Sequence, residues 1–278
     1  VTVRLARRRH GSALATASTG TRRQGRRTWR PARLIGPLAL LAIWQACSSA
    51  GLISESTLPA PSDVFAAGWT LAKSGDLESN LAASVARVGI GLAIGVGVGV
   101  VLALATGLSK IAEDLIDPLM HMFRTVPVLA LTQLFILWFG IGEQPKIIII
   151  AVGVLFPVYL NTYAGIRGVD QKLVEVGQVA GLNWRQKIQW IVLPGSLPSF
   201  LTGLRYSVGV AWLLLVISEQ VNATSGIGYM MSNAILTLRT DVIVLGIVLY
   251  AVLGLVSDAL VRALERWALR WRKGLEAR

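Results

Sequence analysis

The chain has 278 residues, 54% of them hydrophobic and only 15% charged, whereas about a quarter of residues are charged in an average soluble protein. Its mean hydropathy is +0.60. One cysteine, Cys47, and two histidines, His10 and His121, exclude an internal disulfide framework, a multi-thiolate metal site and the usual Cys/His catalytic arrangements.

The formal charge of +12 is concentrated at the two ends of the chain. It is not striped among exposed aromatics, so it argues for membrane topology and against a nucleic-acid partner. Residues 1–33 hold ten arginines and no periodic apolarity, and read as a basic, disordered arm able to touch anionic headgroups. Apolar stretches then recur at about 34–52, 82–107, 115–139, 146–166, 197–219 and 241–262. Each is long enough for a span, since a hydrocarbon core of about 30 Å takes roughly 20 helical residues. The first reads as a retained helix rather than a cleaved secretory signal.

In the second stretch, "GIGLAIGVGVGVVLALATG", length and unbroken apolarity favour a helix over a strand. Gly91, Gly95 and Gly99 then share one face, where another helix backbone approaches closely; packing within the chain is favoured over a dimer seam. The tail "RALERWALRWRKGLEAR" adds six Lys or Arg. By the positive-inside rule both termini face the cytoplasm, which requires an even number of crossings and agrees with six. The expected organisation is an all-α integral membrane protein, with a transmembrane domain over 34–265 and a basic cytoplasmic tail over 266–278. Arg167, Lys172, Arg185 and Lys187 put residues 167–196 on the same inner side.

That inner segment contains "EVGQVAGLNWRQKIQWIVLP", Glu175 to Pro194. Val176, Val179 and Ala180 recur at helical spacing and stop at Gly181. Asn183 is suited to N-cap a second helix with Trp184, Ile188 and Ile191 on one face, and Pro194 is expected to close it by removing a backbone donor. Two short helices meeting at a bend are compatible with an interfacial connector. They are equally compatible with a docking element for a cytoplasmic partner, in which Glu175 supplies an ionic contact.

Glu175, Gly181, Ile191, Leu193 and Pro194 reproduce the spacing E-A-A-x3-G-x9-I-x-L-P, with Val176 and Gly177 in place of the two alanines. This resembles the coupling motif of ABC importer permeases, the binding-protein-dependent membrane subunits. "LPAPSDVF" (58–65), "FRTVPVLALTQLFILWFGIGE" (123–143), "GIRGVDQKLVEVG" (165–177) and "SEQVNATSGIGYMMSNA" (218–234) look like the nitrate/sulfonate/taurine branch, and most like aliphatic-sulfonate permeases. Thr125 and Gln133 stand where that branch usually has prolines, so a local difference in the third span is expected.

The resemblance implies an alternating-access importer in a bacterial inner membrane. A periplasmic or lipid-anchored binding protein delivers a small anion, and two ATP-binding subunits using ATP and Mg dock on the coupling pair, with a second copy of the chain completing the pathway. Glu175, Gly177, Gly181, Ile191, Leu193 and Pro194 are the expected coupling residues. The sequence has no G-x-x-x-x-G-K-[ST] segment, so nucleotide binding by a P-loop belongs to another chain and no cofactor is expected here.

Arg124 and Glu219 are the candidate pathway or gate residues. Arg124 either attracts an anion or snorkels toward headgroups. Glu219 either orders an outer gate or the binding-protein contact, or caps or packs the following "GIGYM" turn. Arg205 reads as a positive-inside anchor, and Asp117, before Pro118, as a helix-start residue. A secondary transporter would show internal duplication and paired intramembrane charges. A membrane enzyme would need convergent catalytic side chains, which the scarcity of His, Cys and acids does not offer.

Overall fold

A computed structural model describes residues 32–271, all-helical with no strand among the described residues. The arm expected at 1–33 lies outside the described residues as far as residue 31, and the tail expected at 266–278 does so from residue 272. Packing divides the chain after Ala42, and every element below except the first part of α1 belongs to the unit starting at Ile43. In order the helices are α1 (Ala32–Ser49), α2 (Pro61–Ser74), α3 (Asp76–Leu108), α4 (Lys110–Phe123), α5 (Val128–Phe139), α6 (Glu143–Arg167), α7 (Gln171–Val179), α8 (Trp184–Lys187), a π-helical turn (Ile188–Val192), α9 (Leu193–Asn222), α10 (Ile227–Leu236) and α11 (Thr240–Ala268).

The core is built around α6, which lies between α3 and α9. Lipid tails are as apolar as leucine, so close packing has to hold these helices together. Small residues on α3 allow it. Gly91 faces Ile150, Gly95 faces Val154 and the Ala151 carbonyl, and Gly99 faces Val158 and the Leu155 carbonyl of α6. The glycine face therefore packs within the chain. A Cβ added at Gly95 would sit 2.9 Å from the Val154 side chain, well inside van der Waals contact, and overpacking of this kind costs about 1–3 kcal/mol. Gly95→Val is expected to lower the midpoint of thermal unfolding in nanodiscs, whereas Gly97→Val, with no atom within 4 Å of its added Cβ, should leave it nearly unchanged.

A second cluster joins α2, α10 and α11 through Ala67, Ile227, Met230, Met231 and Val242. Four helical stretches are long and apolar enough to cross a membrane: Asp76–Leu108, Glu143–Arg167, Trp184–Val221 and Thr240–Ala268. The expected third span is not one rod, because α4 and α5 meet at 96°. The cause is Pro127. It lacks a backbone donor and disfavours helical geometry at Val126, so it ends one helix and starts the next. Counting the bent pair as one crossing gives five, and the apolar described part of α1, Ile35–Ser49, is shorter than a full span.

Asp117 also departs from expectation. It lies inside α4, whose N-cap is Ser109, accepting from the Ala112 N–H. The Asp117 carboxylate instead takes the Tyr159 hydroxyl of α6 at 2.9 Å.

Candidate functional site

Where α6 ends and α9 begins, the chain folds into a small knob. Asp170 caps α7 by accepting the Lys172 N–H at 2.9 Å. The helix ends at Gly181, which takes the left-handed conformation at φ 77°. The Gly181 N–H then reaches the Gln178 carbonyl at 3.0 Å and the Leu182 N–H the Gly177 carbonyl at 2.9 Å. This paired closure satisfies carbonyls that would otherwise be orphaned, and glycine enters it without a Cβ penalty. Two residues later Asn183 opens α8 through a reciprocal capping box: its side chain accepts the Gln186 N–H at 2.9 Å while Gln186 accepts the Asn183 N–H at 2.8 Å. Stop and start signals separated by one residue fix the bend.

Gly177 is buried, and a Cβ there would lie 2.6 Å from Ile191 Cδ1 and 3.3 Å from Leu182 Cδ1. The two arms of the knob therefore touch at Gly177 and Ile191, the positions singled out by the motif. Ile188 and Ile191 are half-buried, while Leu173, Val176 and Trp184 are exposed, as is Val179 at 91%. The expected apolar faces are thus divided. Ile191 packs against Gly177 inside the knob, and the others stay open, alongside exposed Glu175.

Pro194 does not close the second helix. Trp184 to Val221 is one helical path of 38 residues. The π-helical turn before Pro194, in which the Leu193 N–H bonds the Ile188 carbonyl, widens the backbone where the proline ring would clash and a donor is missing. Leu193 is exposed and Pro194 half-buried at this junction.

A charge cluster occupies the opposite end, where α3 and α6 begin and α9 ends. Arg87 of α3 is 3% exposed and Glu219 of α9 is 1% exposed. The Arg87 guanidinium donates to Glu219 at 2.6 Å and, through Nε and Nη2, to Glu143 at 2.5 and 2.8 Å. It also donates to the Ser225 carbonyl and hydroxyl. Lys146, 2% exposed, donates to Glu143 at 3.0 Å. Two cations and two carboxylates make the cluster neutral, with Arg87, Lys146 and Glu219 buried and Glu143 exposed at its edge, and such pairing is the condition under which buried charges are tolerated.

The same cluster holds the entry to α10. The Gly226 N–H bonds Asn80, the Ile227 N–H bonds Ser84, and the Gly228 N–H bonds Glu219 at 2.9 Å. Ser84 donates its hydroxyl to Glu219, as does Tyr250 at 3.1 Å. A carboxylate over free N–H groups at a helix start is doubly favourable, through hydrogen bonds and the helix dipole. Glu219 therefore caps the "GIGYM" turn.

Arg124 is elsewhere. It ends α4 at the 96° bend, exposed and without an ion pair among the described residues. Arg205 is not a simple anchor: its Nε donates to Asp258 of α11 at 2.8 Å. Arg87 and Lys146 were not singled out by sequence reasoning, although an arginine inside an otherwise apolar stretch is itself a signal. Among the described residues no three His, Cys, Asp or Glu side chains gather to hold a metal ion.

Residues 95–270 match the family described as "Binding-protein-dependent transport system inner membrane component". The chain is 46% identical, over 84% of its length and 89% of the relative's, to an Escherichia coli (strain K12) protein named as an aliphatic sulfonates transport permease, SsuC. It is 43% identical, over 87% of its length and 88% of the relative's, to the protein of that name from Bacillus subtilis (strain 168). The taurine transport system permease protein TauC of E. coli (strain K12) is 37% identical over 85% of this chain and 88% of its own. Among solved structures, "Crystal structure of an amino acid ABC transporter with histidines" aligns with 67% of this chain and 91% of that one at TM-score 0.55 and 18% identity, a likeness of fold. The chain belongs to the inner membrane components of binding-protein-dependent transport systems, the permease subunits of ABC transporters.

Proposed function

We propose that this chain forms, with a second copy of itself, the membrane pathway of an importer for aliphatic sulfonates. An extracytoplasmic binding protein delivers the substrate, and separate ATP-binding subunits dock on residues 171–194. α1 and the bent α4–α5 pair complete six crossings, with both termini and the knob in the cytoplasm, the arrangement favoured by the arginine-rich ends. The observation that carries the reading is the knob: two helices rigidly joined at Gly177, Gly181 and Asn183, with Val176, Val179, Trp184 and Glu175 left open. An apolar helix face bordered by charge suits a groove on a partner. Closure of ATP-bound partners moves the knob only because ATP binds one state of the assembly more tightly than the other.

The substrate preference follows the order of likeness, since the relatives named for sulfonates are 46% and 43% identical and that named for taurine 37%. Reconstitution with its ATP-binding subunit and binding protein tests the proposal. Alkanesulfonate uptake is expected to require ATP hydrolysis and to persist when ion gradients are collapsed; uptake driven by an ion gradient without ATP would overturn it.

A further inference from the structure

The cavity between α9 and α11 lies away from the knob and adjoins the neutral cluster only through Tyr250, whose hydroxyl donates to Glu219, and its lining changes character along its length. We infer that it is a subsite for an amphiphilic oxyanion, with Arg205 against the head group and the apolar wall along the tail. The inference rests on the importer reading and adds a binding site within this chain. The cavity has a volume of about 820 Å3. Arg205, Tyr206 and Asp258 line it toward the start of α9 and Val216 and Tyr250 toward its end, with Trp212 between them, its indole N–H donating to Ser257 at 3.1 Å. The Arg205–Asp258 and Trp212–Tyr250 contacts show that the two helices run antiparallel, so both change from polar to apolar in the same direction. Gly209 and Gly254 also line the cavity, and a Cβ added at either meets no atom within 4 Å. Missing side chains help to keep the space open.

The charge at the polar end is unbalanced. Asp258 accepts from Arg205 at 2.8 Å through one oxygen and pairs with Arg262 at 2.7 Å through the other. Two guanidiniums share one carboxylate. The Nη groups of Arg205 make no hydrogen bond among the described residues, and its side chain is 47% exposed. Arg205 lies about 18 Å along the helix from Leu193, and a cation within a span is costly unless it meets an anion or water. A guanidinium fork matches an oxyanion with two parallel donors. Nitrate has no tail for the apolar wall, and the ammonium of taurine would be carried onto that wall, where an unpaired charge is costly. An alkanesulfonate satisfies both ends.

The test is equilibrium binding of radiolabelled methanesulfonate and hexanesulfonate to the full chain in zwitterionic-lipid nanodiscs. Saturable binding is expected, tighter for hexanesulfonate. Arg205→Gln should weaken both by about tenfold, the scale of one charge-assisted hydrogen bond, while Asp258 keeps Arg262 and no orphan charge is created. Gly209→Leu, which alters no charge, should weaken hexanesulfonate alone. Unchanged affinity in Arg205→Gln would overturn the site, as would equal effects of Gly209→Leu on both probes. Phosphatidylglycerol retained by the wild type and lost from Arg205→Gln, with sulfonate displaced, would assign the cavity to lipid and also overturn it. ATP-driven uptake with binding unaffected by either variant would remove the site and leave the importer reading intact; binding as expected without ATP-driven uptake would do the reverse.

Discussion

Arg87→Met is expected to cost the folded chain several kcal/mol of stability. Arg87 is the cation that Glu143 and Glu219 share, and Lys146 reaches only Glu143. With Met at position 87, Glu219 stays 1% exposed and loses its ionic partner. Removing one member of a buried pair costs about 3–5 kcal/mol, chiefly the penalty of the charge left behind. The loss should also be felt in α10, whose entry is held by Glu219 and by the Ser225 segment bonded to Arg87. Unfolding of nanodisc-embedded protein, followed by circular dichroism, checks this. The double variant Arg87→Met/Glu219→Gln should be less destabilised than the sum of the single variants, because the orphaned charge is gone. Additive losses would mean that the cluster is not energetically coupled.

Gly177→Leu is expected to separate ATP hydrolysis from transport. The added side chain must displace Ile191, only 2.6 Å from the position of a Cβ, and so spread the arms of the knob. Overpacking of this kind costs about 1–3 kcal/mol, and a shift of 1.4 kcal/mol between docked and undocked states is about tenfold. Uptake in the reconstituted assembly should fall by that factor while membrane insertion and basal hydrolysis remain. Glu175→Ala, which removes an exposed charge and leaves the knob intact, should act in the same direction without altering thermal stability. Coupled uptake at wild-type rates in both variants would count against docking at this surface.

The bend of the knob was legible in the sequence because its causes are local. Gly181 supplies a left-handed residue and Asn183 a side-chain acceptor, both acting within a few positions of their own place in the chain. The contribution of Pro194 was not legible. Whether proline ends a helix depends on whether the preceding turn can widen, and that is a property of how residues 188–192 pack. The third span misled for a related reason: hydropathy averages over a stretch and passes 115 to 139 as one despite Asp117 and Arg124, while the break at Pro127 is a matter of backbone geometry.

The neutral cluster was half-legible. Glu219 stood out, but two of its partners, Ser84 and Arg87, are more than a hundred residues away, and no local spacing announces such a pairing. Asp117 failed in the same way, read from the adjacent Pro118 when its partner is Tyr159 on another helix. Polar groups within the spans are matched by tertiary structure, so the sequence shows that a partner must exist without naming it. The small-residue face of α3 was the favourable exception, since three glycines at a four-residue spacing already imply close contact with another helix.

The importer proposal stands or falls on whether the open face of the knob docks an ATP-binding subunit. Val179, 91% exposed, is the position from which to measure it, using Val179→Cys in a Cys47→Ser background labelled with a short photo-crosslinker in the assembled transporter. Illumination is expected to join this chain to its ATP-binding subunit, with a yield that changes on addition of ATP. A crosslinker that captures only lipid, with the ATP-binding subunit present and active in the same particles, would rule out docking on this face.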